Sequence, residues 1–202
     1  MRSVSLKEKP IVSGSLVLIN VVVFLICTFT GDLLYNIGRC DVWHVLGCKE
    51  YGRVFFSLFL HADVPHIFNN MLILFFLGAM IEKEIGHLSY LIAYLVSGLG
   101  GNVLSLFSKA SKGVLTGSVG ASGAIFGLDG VLLSMVLFWN KPLENVTAGR
   151  VLFMIAYSLY SGFTGQNVDN AAHIGGLVTG FVTGVILCLI KRKRTGGTAF
   201  EY

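Results

Sequence analysis

Apolar positions along this chain fall into six long runs, and none of them alternates in the way a half-buried strand would. The first covers about Pro10 to Thr30 and contains one polar residue with an amide, Asn20. The second runs from about Pro65 to Ile81, with the apolar stretch Val54–Leu60 leading into it. The others cover about Leu88 to Phe107, Ala121 to Trp139, Val151 to Phe163 and Ala171 to Ile190. Most approach the roughly 20 residues that a helix needs to cross ~30 Å of hydrocarbon. Between the first two runs, residues 31–57 form a long segment in which Leu33, Leu34, Tyr35, Ile37, Trp43 and Phe55 are interleaved with charges. Such a segment is expected to lie in the membrane interface. Glu50 and Arg53 stand three apart there, so they meet if the segment is helical, either as a solvated pair or as a structural clasp.

Composition sharpens this reading. The chain has 202 residues, 54% hydrophobic and only 13% charged, against about 25% charged in an average soluble domain. The expectation is an all-α, polytopic membrane protein of six transmembrane helices. It forms one membrane domain over residues 1–202, with short tails at about 1–9 and 191–202 and no separate soluble domain. The net charge of +4 is gathered mainly at the chain ends, which suits membrane orientation and not nucleic-acid binding. With the N-terminus inside, the inner segments hold Arg2, Lys7, Lys9, Lys83, Lys141, Arg150 and the run Lys191–Arg194. The outer loops hold Arg39, Lys49, Arg53, Lys109 and Lys112. Both termini are therefore expected in the cytoplasm. The first run is too long for the core of a signal peptide. Cys27 and Cys188 read as packing residues; Cys40 and Cys48 share one loop, where a disulfide would need an oxidising space. No metal site and no cofactor are expected.

The candidate chemistry lies at the heads of three helices. Under this topology the second, fourth and sixth helices all start in the outer leaflet. The second carries His61, His66 and Asn70 at that end, with His66 and Asn70 four apart on one face and Pro65 in a first turn capped by Asp63 or a neighbour. The fourth carries Ser122 within Gly117-Ser118-Val119-Gly120-Ala121-Ser122-Gly123-Ala124-Ile125-Phe126-Gly127, and the sixth carries His173. Gly176, Gly180 and Gly184 on the sixth helix, and Gly120, Gly123, Gly127 and Gly130 on the fourth, allow the two backbones to approach closely. That contact would bring His173 to Ser122, a nucleophile beside its general base. Asn70, a ring N–H of His66 and the backbone N–H of Ser122 are candidate donors to a developing oxyanion. Asp169, four residues before His173, is expected to face the outer water, so the reading is a dyad. Asp129, mid-helix and seven residues after Ser122, is taken as a structural acid outside the catalytic set.

Gly120-x-Ser122-Gly123, His173-x-x-Gly176-x-x-x-Gly180 and His61-x4-His66-x3-Asn70 together resemble the rhomboid intramembrane serine proteases, in spacing, helix and order. The resemblance covers the six-helix core. It implies Ser122 as nucleophile, His173 as general base, and an oxyanion hole of His66, Asn70 and the Ser122 amide. His61, Gly120 and Phe126 are implied as supporting residues, Phe126 being the aromatic against which the histidine packs. Glu82 resembles a structural acid at the inner end of the second helix, residues 31–57 a partly submerged first loop, and residues 163–169 a movable cap. The first loop departs from the family in having Gly52 before Arg53 where Trp is usual. The resemblance further implies peptide-bond hydrolysis, transmembrane protein substrates, the lipid bilayer as surroundings and a bacterial plasma (inner) membrane. Competing readings are a catalytically dead relative that binds membrane clients, which would typically lack the serine or the histidine, and a small transporter using His and Asp129. A metalloprotease is disfavoured by the lack of HExxH.

Overall fold

The computed structural model describes residues 9–139, 143, 146–165 and 168–196, with side chains through 192. Arg2, Lys7 and Lys141 of the charge count, and most of both tails, lie outside the described residues. The chain forms α1 (Ile11–Thr30), α2 (Leu33–Gly38), α3 (Arg53–Phe56), α4 (Val64–Ile85), α5 (His87–Lys112), α6 (Ser122–Phe138), α7 (Ala148–Thr164) and α8 (Asn170–Gly196). The six expected spans are α1, α4, α5, α6, α7 and α8. Asp63 caps α4, its Oδ1 accepting the His66 N–H at 2.7 Å, and proline occupies the first turn.

Four helices, α1, α4, α5 and α8, are long and apolar enough to cross a membrane. The protein is a multi-pass membrane protein of all-α architecture. Of the two 17-residue helices, α6 matches the expected run within one residue at each end, and α7 starts three residues before and ends one residue after its expected run. The chain enters α6 through a non-helical segment, residues 114–121, which turns at Gly120 and Ala121, and the helix starts at Ser122. That helix is buried over nearly its whole length, from Gly123 to Leu132 without interruption, as a helix apolar all round should be when it is central. It is packed against α8 and α5. Large apolar side chains such as Leu18, Phe29, Phe76, Phe107 and Phe153 face outward from the surrounding helices, on surface that lipid would cover.

The α6–α8 contact is backbone against backbone. A Cβ placed on Gly176 would fall 1.9 Å from the carbonyl oxygen of Gly123, and one on Gly180 would fall 2.0 Å from that of Gly127. The Ala172 carbonyl of α8 is approached from both neighbours: a Cβ on Gly101 of α5 would meet it at 2.6 Å and one on Gly123 of α6 at 3.3 Å. Small residues on three helices thus set the spacing, as the glycine pattern predicts.

At the other end of the bundle Glu82 is fully buried. It accepts hydrogen bonds from the Val12 N–H and Ser13 N–H, both at 2.8 Å, from the Ser13 hydroxyl at 2.6 Å, and from the His87 ring at 2.5 Å. Orphan donors at the start of α1 are satisfied by one carboxylate on α4, joining the two helices.

The first loop is compact. Arg53, 6% exposed, donates to Glu50 at 2.5 Å and to the Asn36 carbonyl at the end of α2 at 2.7 Å. Of the two readings left open, the clasp is the one found. Asp41 accepts from the His44 N–H at 3.0 Å and its ring at 2.9 Å. Burial works to raise its carboxyl, but these bonds and the charges of His44 and Arg39 hold it below the ordinary value. Cys40, buried, and Cys48, exposed, are both free thiols.

Candidate active site

The segment before α6 brings Ser122 to its place. Ser118 pairs with Cys40 of the first loop in an antiparallel bridge, N–H to carbonyl at 2.8 Å one way and 3.0 Å the other. The Gly120 N–H then donates to the Ser57 carbonyl at 2.9 Å. Gly120 has φ of 124°, a conformation open to glycine and strained for other residues. It also leaves room: a Cβ there would stand 2.8 Å from Nε2 of His66 and 3.6 Å from Nδ2 of Asn70. The turn completes at Ala121, and Ser122 is the first helical residue of α6. Its N–H belongs to the first turn, whose donors have no intrahelical partner and sit at the positive end of the helix dipole.

His173 lies one turn into α8 and is 7% exposed. Its Nε2 stands 3.0 Å from Oγ of Ser122. The ring of Phe126, one turn below the serine, stacks on the imidazole with centroids 4.2 Å apart and planes 17° from parallel. Gly162 of α7 closes the other side, where a Cβ would come within 3.5 Å of Nδ1.

His61 is fully buried. Its Nε2 is 3.0 Å from the amide nitrogen of Asn70 and 3.5 Å from the Ala121 N–H. Both neighbours are donors, so Nε2 carries the lone pair and the ring proton sits on Nδ1. The Asn70 amide has two N–H groups, and this bond uses one of them. The His66 ring meets that of His61 edge-on at 5.0 Å. Thus His61, His66, Asn70, Gly120, Ser122, Phe126 and His173 converge on one end of the bundle. Among the described residues no three His, Cys, Asp or Glu side chains converge as metal ligands.

The expectation that Asp169 faces outer water is overturned. Its Oδ1 accepts from the Ala172 N–H at 3.0 Å. Its Oδ2 accepts from the hydroxyls of Ser118 and Ser105, the latter at 2.5 Å, and pairs with Nζ of Lys109 at 2.9 Å. Burial works to raise its carboxyl, but hydrogen bonds from Ser105, Ser118 and Lys109, with the Lys109 charge, outweigh burial and hold it at about 2. Asn102, on the same helix as Ser105, donates to the Val54 carbonyl at 2.7 Å and to the Ser57 hydroxyl at 2.9 Å. These partners of the serine segment were missed in the sequence. The signal was there: Asn102 and Ser105 are polar residues three apart near the outer end of the third apolar run, the level at which the other polar clusters lie. Asp129, 4% exposed, lies in the centre of α6 away from these contacts.

The structure is that of a multi-pass membrane bundle with a serine hydroxyl in hydrogen-bond reach of an imidazole at a helix N-terminus, the arrangement of a nucleophile beside a base. Comparison with known proteins says which family. The Rhomboid domain matches residues 49–190, and the chain belongs to the rhomboid family. It is 40% identical over 162 residues to RHOMBOID-like protein 1 of Arabidopsis thaliana, covering 77% of this chain and 39% of that protein. With YdcA of Bacillus subtilis (strain 168) it shares 33% identity over 167 residues, covering 83% of this chain and 77% of that one. Rhomboid protease GluP of the same organism is 35% identical over 147 residues, 73% of this chain and 28% of GluP. The chain spans about two fifths of the length of the Arabidopsis relative.

Proposed function

We propose that this protein is an intramembrane serine endopeptidase that hydrolyses peptide bonds of transmembrane protein substrates with a Ser122–His173 dyad. The observation that carries the reading is the 3.0 Å contact between Oγ of Ser122 and Nε2 of His173, held by the glycine-lined contact of their helices. Ser122 attacks the scissile carbonyl carbon while His173 takes the hydroxyl proton. The C–N bond breaks as His173 returns that proton to the leaving amine, and water then releases the acyl group by the same path. The second N–H of Asn70, the His66 ring and the Ser122 amide are the donors to the oxyanion, each worth about 2.7–4 kcal/mol of barrier in comparable sites. His61 orients Asn70, and Phe126 holds the imidazole plane. A substrate helix must unwind locally, because a helical amide is hidden within its own turn. Residues 1–202 act as one membrane domain, with both termini in the cytoplasm of a bacterial plasma membrane and the site opening outward.

The test is cleavage of a transmembrane reporter in liposomes, together with labelling by a fluorophosphonate. Wild type should cleave and label; Ser122→Ala and His173→Ala should do neither. Labelling that persists in Ser122→Ala would refute the assignment.

A further inference from the structure

Ser122 and His173 each follow, by four residues, a residue of one polar node. Ser118 leads to Ser122 through Gly120 and Ala121, with its backbone paired to Cys40 on both sides. Asp169 leads to His173 through the first turn of α8, where its carbonyl accepts the His173 N–H at 3.2 Å and its Oδ1 accepts the Ala172 N–H at 3.0 Å. The two leads meet where the Ser118 hydroxyl donates to Asp169. Lys109 binds both, at 2.5 Å to the Ser118 hydroxyl and 2.9 Å to the Asp169 carboxylate. Ser105 adds a hydroxyl from the same face of α5 at 2.5 Å.

We propose that Asp169 is a positioning residue, which fixes the first turn of α8 to the segment that delivers Ser122 and so sets the distance and angle between hydroxyl and imidazole. This rests on the dyad reading of the preceding section. Asp169 does not orient the base directly: its oxygens are committed to Ala172, Ser118, Ser105 and Lys109, and Nδ1 of His173 is not among their partners. It acts through backbone, on both ends of the dyad at once. The carboxylate suits this task better than a neutral amide, because one oxygen gathers two hydroxyls and an ammonium, and hydrogen bonds to charge are the strong ones.

The experiment compares full-length wild type, Asp169→Asn, Ser118→Ala and the double variant in liposomes. It reads kcat and KM on a transmembrane reporter and the rate of fluorophosphonate labelling per folded molecule. Asp169→Asn should lower kcat and labelling rate in parallel by about tenfold to a hundredfold, the scale of an ångström-sized misplacement, with KM within about twofold of wild type. Ser118→Ala should lose less, and the double variant should be no slower than Asp169→Asn, since both break one link. Wild-type kcat and labelling in Asp169→Asn would overturn the inference, as would a rise in KM with kcat unchanged, or losses that multiply in the double variant. If Asp169→Asn fails to fold, Ser118→Ala carries the test alone, and a wild-type kcat in that variant overturns the inference. A wild type that neither cleaves nor labels would instead sink the dyad reading itself.

Discussion

Replacing Gly176 by alanine is the smallest change that should dismantle the site. The added methyl would start 1.9 Å from the Gly123 carbonyl oxygen and 2.8 Å from its carbon, whereas carbon–oxygen contacts of this kind settle at ~3.3–3.6 Å. The obstacle is backbone, so no side chain can swing aside. The helices must part by roughly 1.4 Å or more at that level to reach the same range. A shift of α8 also disturbs its close packing on α5, where a Cβ on Gly175 would meet Leu104 at 2.8 Å and the Gly100 carbonyl at 3.0 Å. Gly123 adjoins Ser122, and Gly176 lies one turn from His173. A separation there therefore carries the 3.0 Å contact to about 4 Å, past the limit of a hydrogen bond. Turnover should fall by about a hundredfold, and overpacking should cost about 1–3 kcal/mol of stability. The assay is fluorophosphonate labelling and reporter cleavage in liposomes, with unfolding followed in mixed detergent micelles. Gly14→Ala is the control: it is also a helical glycine, in the first turn of α1, but nothing lies within 4 Å of its Cβ position, so it should be neutral or gain up to about 1 kcal/mol. A Gly176→Ala protein with wild-type turnover would refute the claim that this contact sets the dyad.

Other perturbations separate the parts of the molecule. Glu82→Gln should lose about 2–3 kcal/mol of stability by detergent unfolding, because charge-assisted bonds to Val12, Ser13 and His87 are weakened, while labelling of the folded protein stays at the wild-type rate. Phe126→Leu removes the ring stacked on His173 and should slow kcat about 2- to 10-fold, the equivalent of ~0.5–1.5 kcal/mol, with KM unchanged. Asp169 has its carboxyl at about 2, below the ordinary 3.8. Its contribution to stability is thus complete above about pH 5 and is lost as pH falls toward 2. Acid titration of unfolding should show wild type losing stability in that window relative to Asp169→Asn, and parallel curves would count against the node.

What could be read from residue order alone divides along a physical line. Helix identity and the α6–α8 pairing were legible because their signals are periodic: apolar runs of spanning length, and glycines recurring every four residues at Gly176, Gly180 and Gly184. His66 and Asn70 were legible for the same reason, being four apart on one helix. Asp169 was misread because its surroundings have no period. Its partners Ser105, Lys109 and Ser118 lie more than fifty positions earlier, on another helix and in an extended segment, and a charged residue at a helix start is ordinarily solvated. Gly117 to Ala121 continue the small, apolar texture of the helix, yet the Ser118 bridge to Cys40 and the positive φ of Gly120 keep that stretch out of it. The consequence is functional: were the helix to begin three residues earlier, Ser122 would lie within the first full turn and its N–H would be spent on an intrahelical carbonyl. The non-helical lead-in leaves that donor free beside the hydroxyl, where the proposed oxyanion would form.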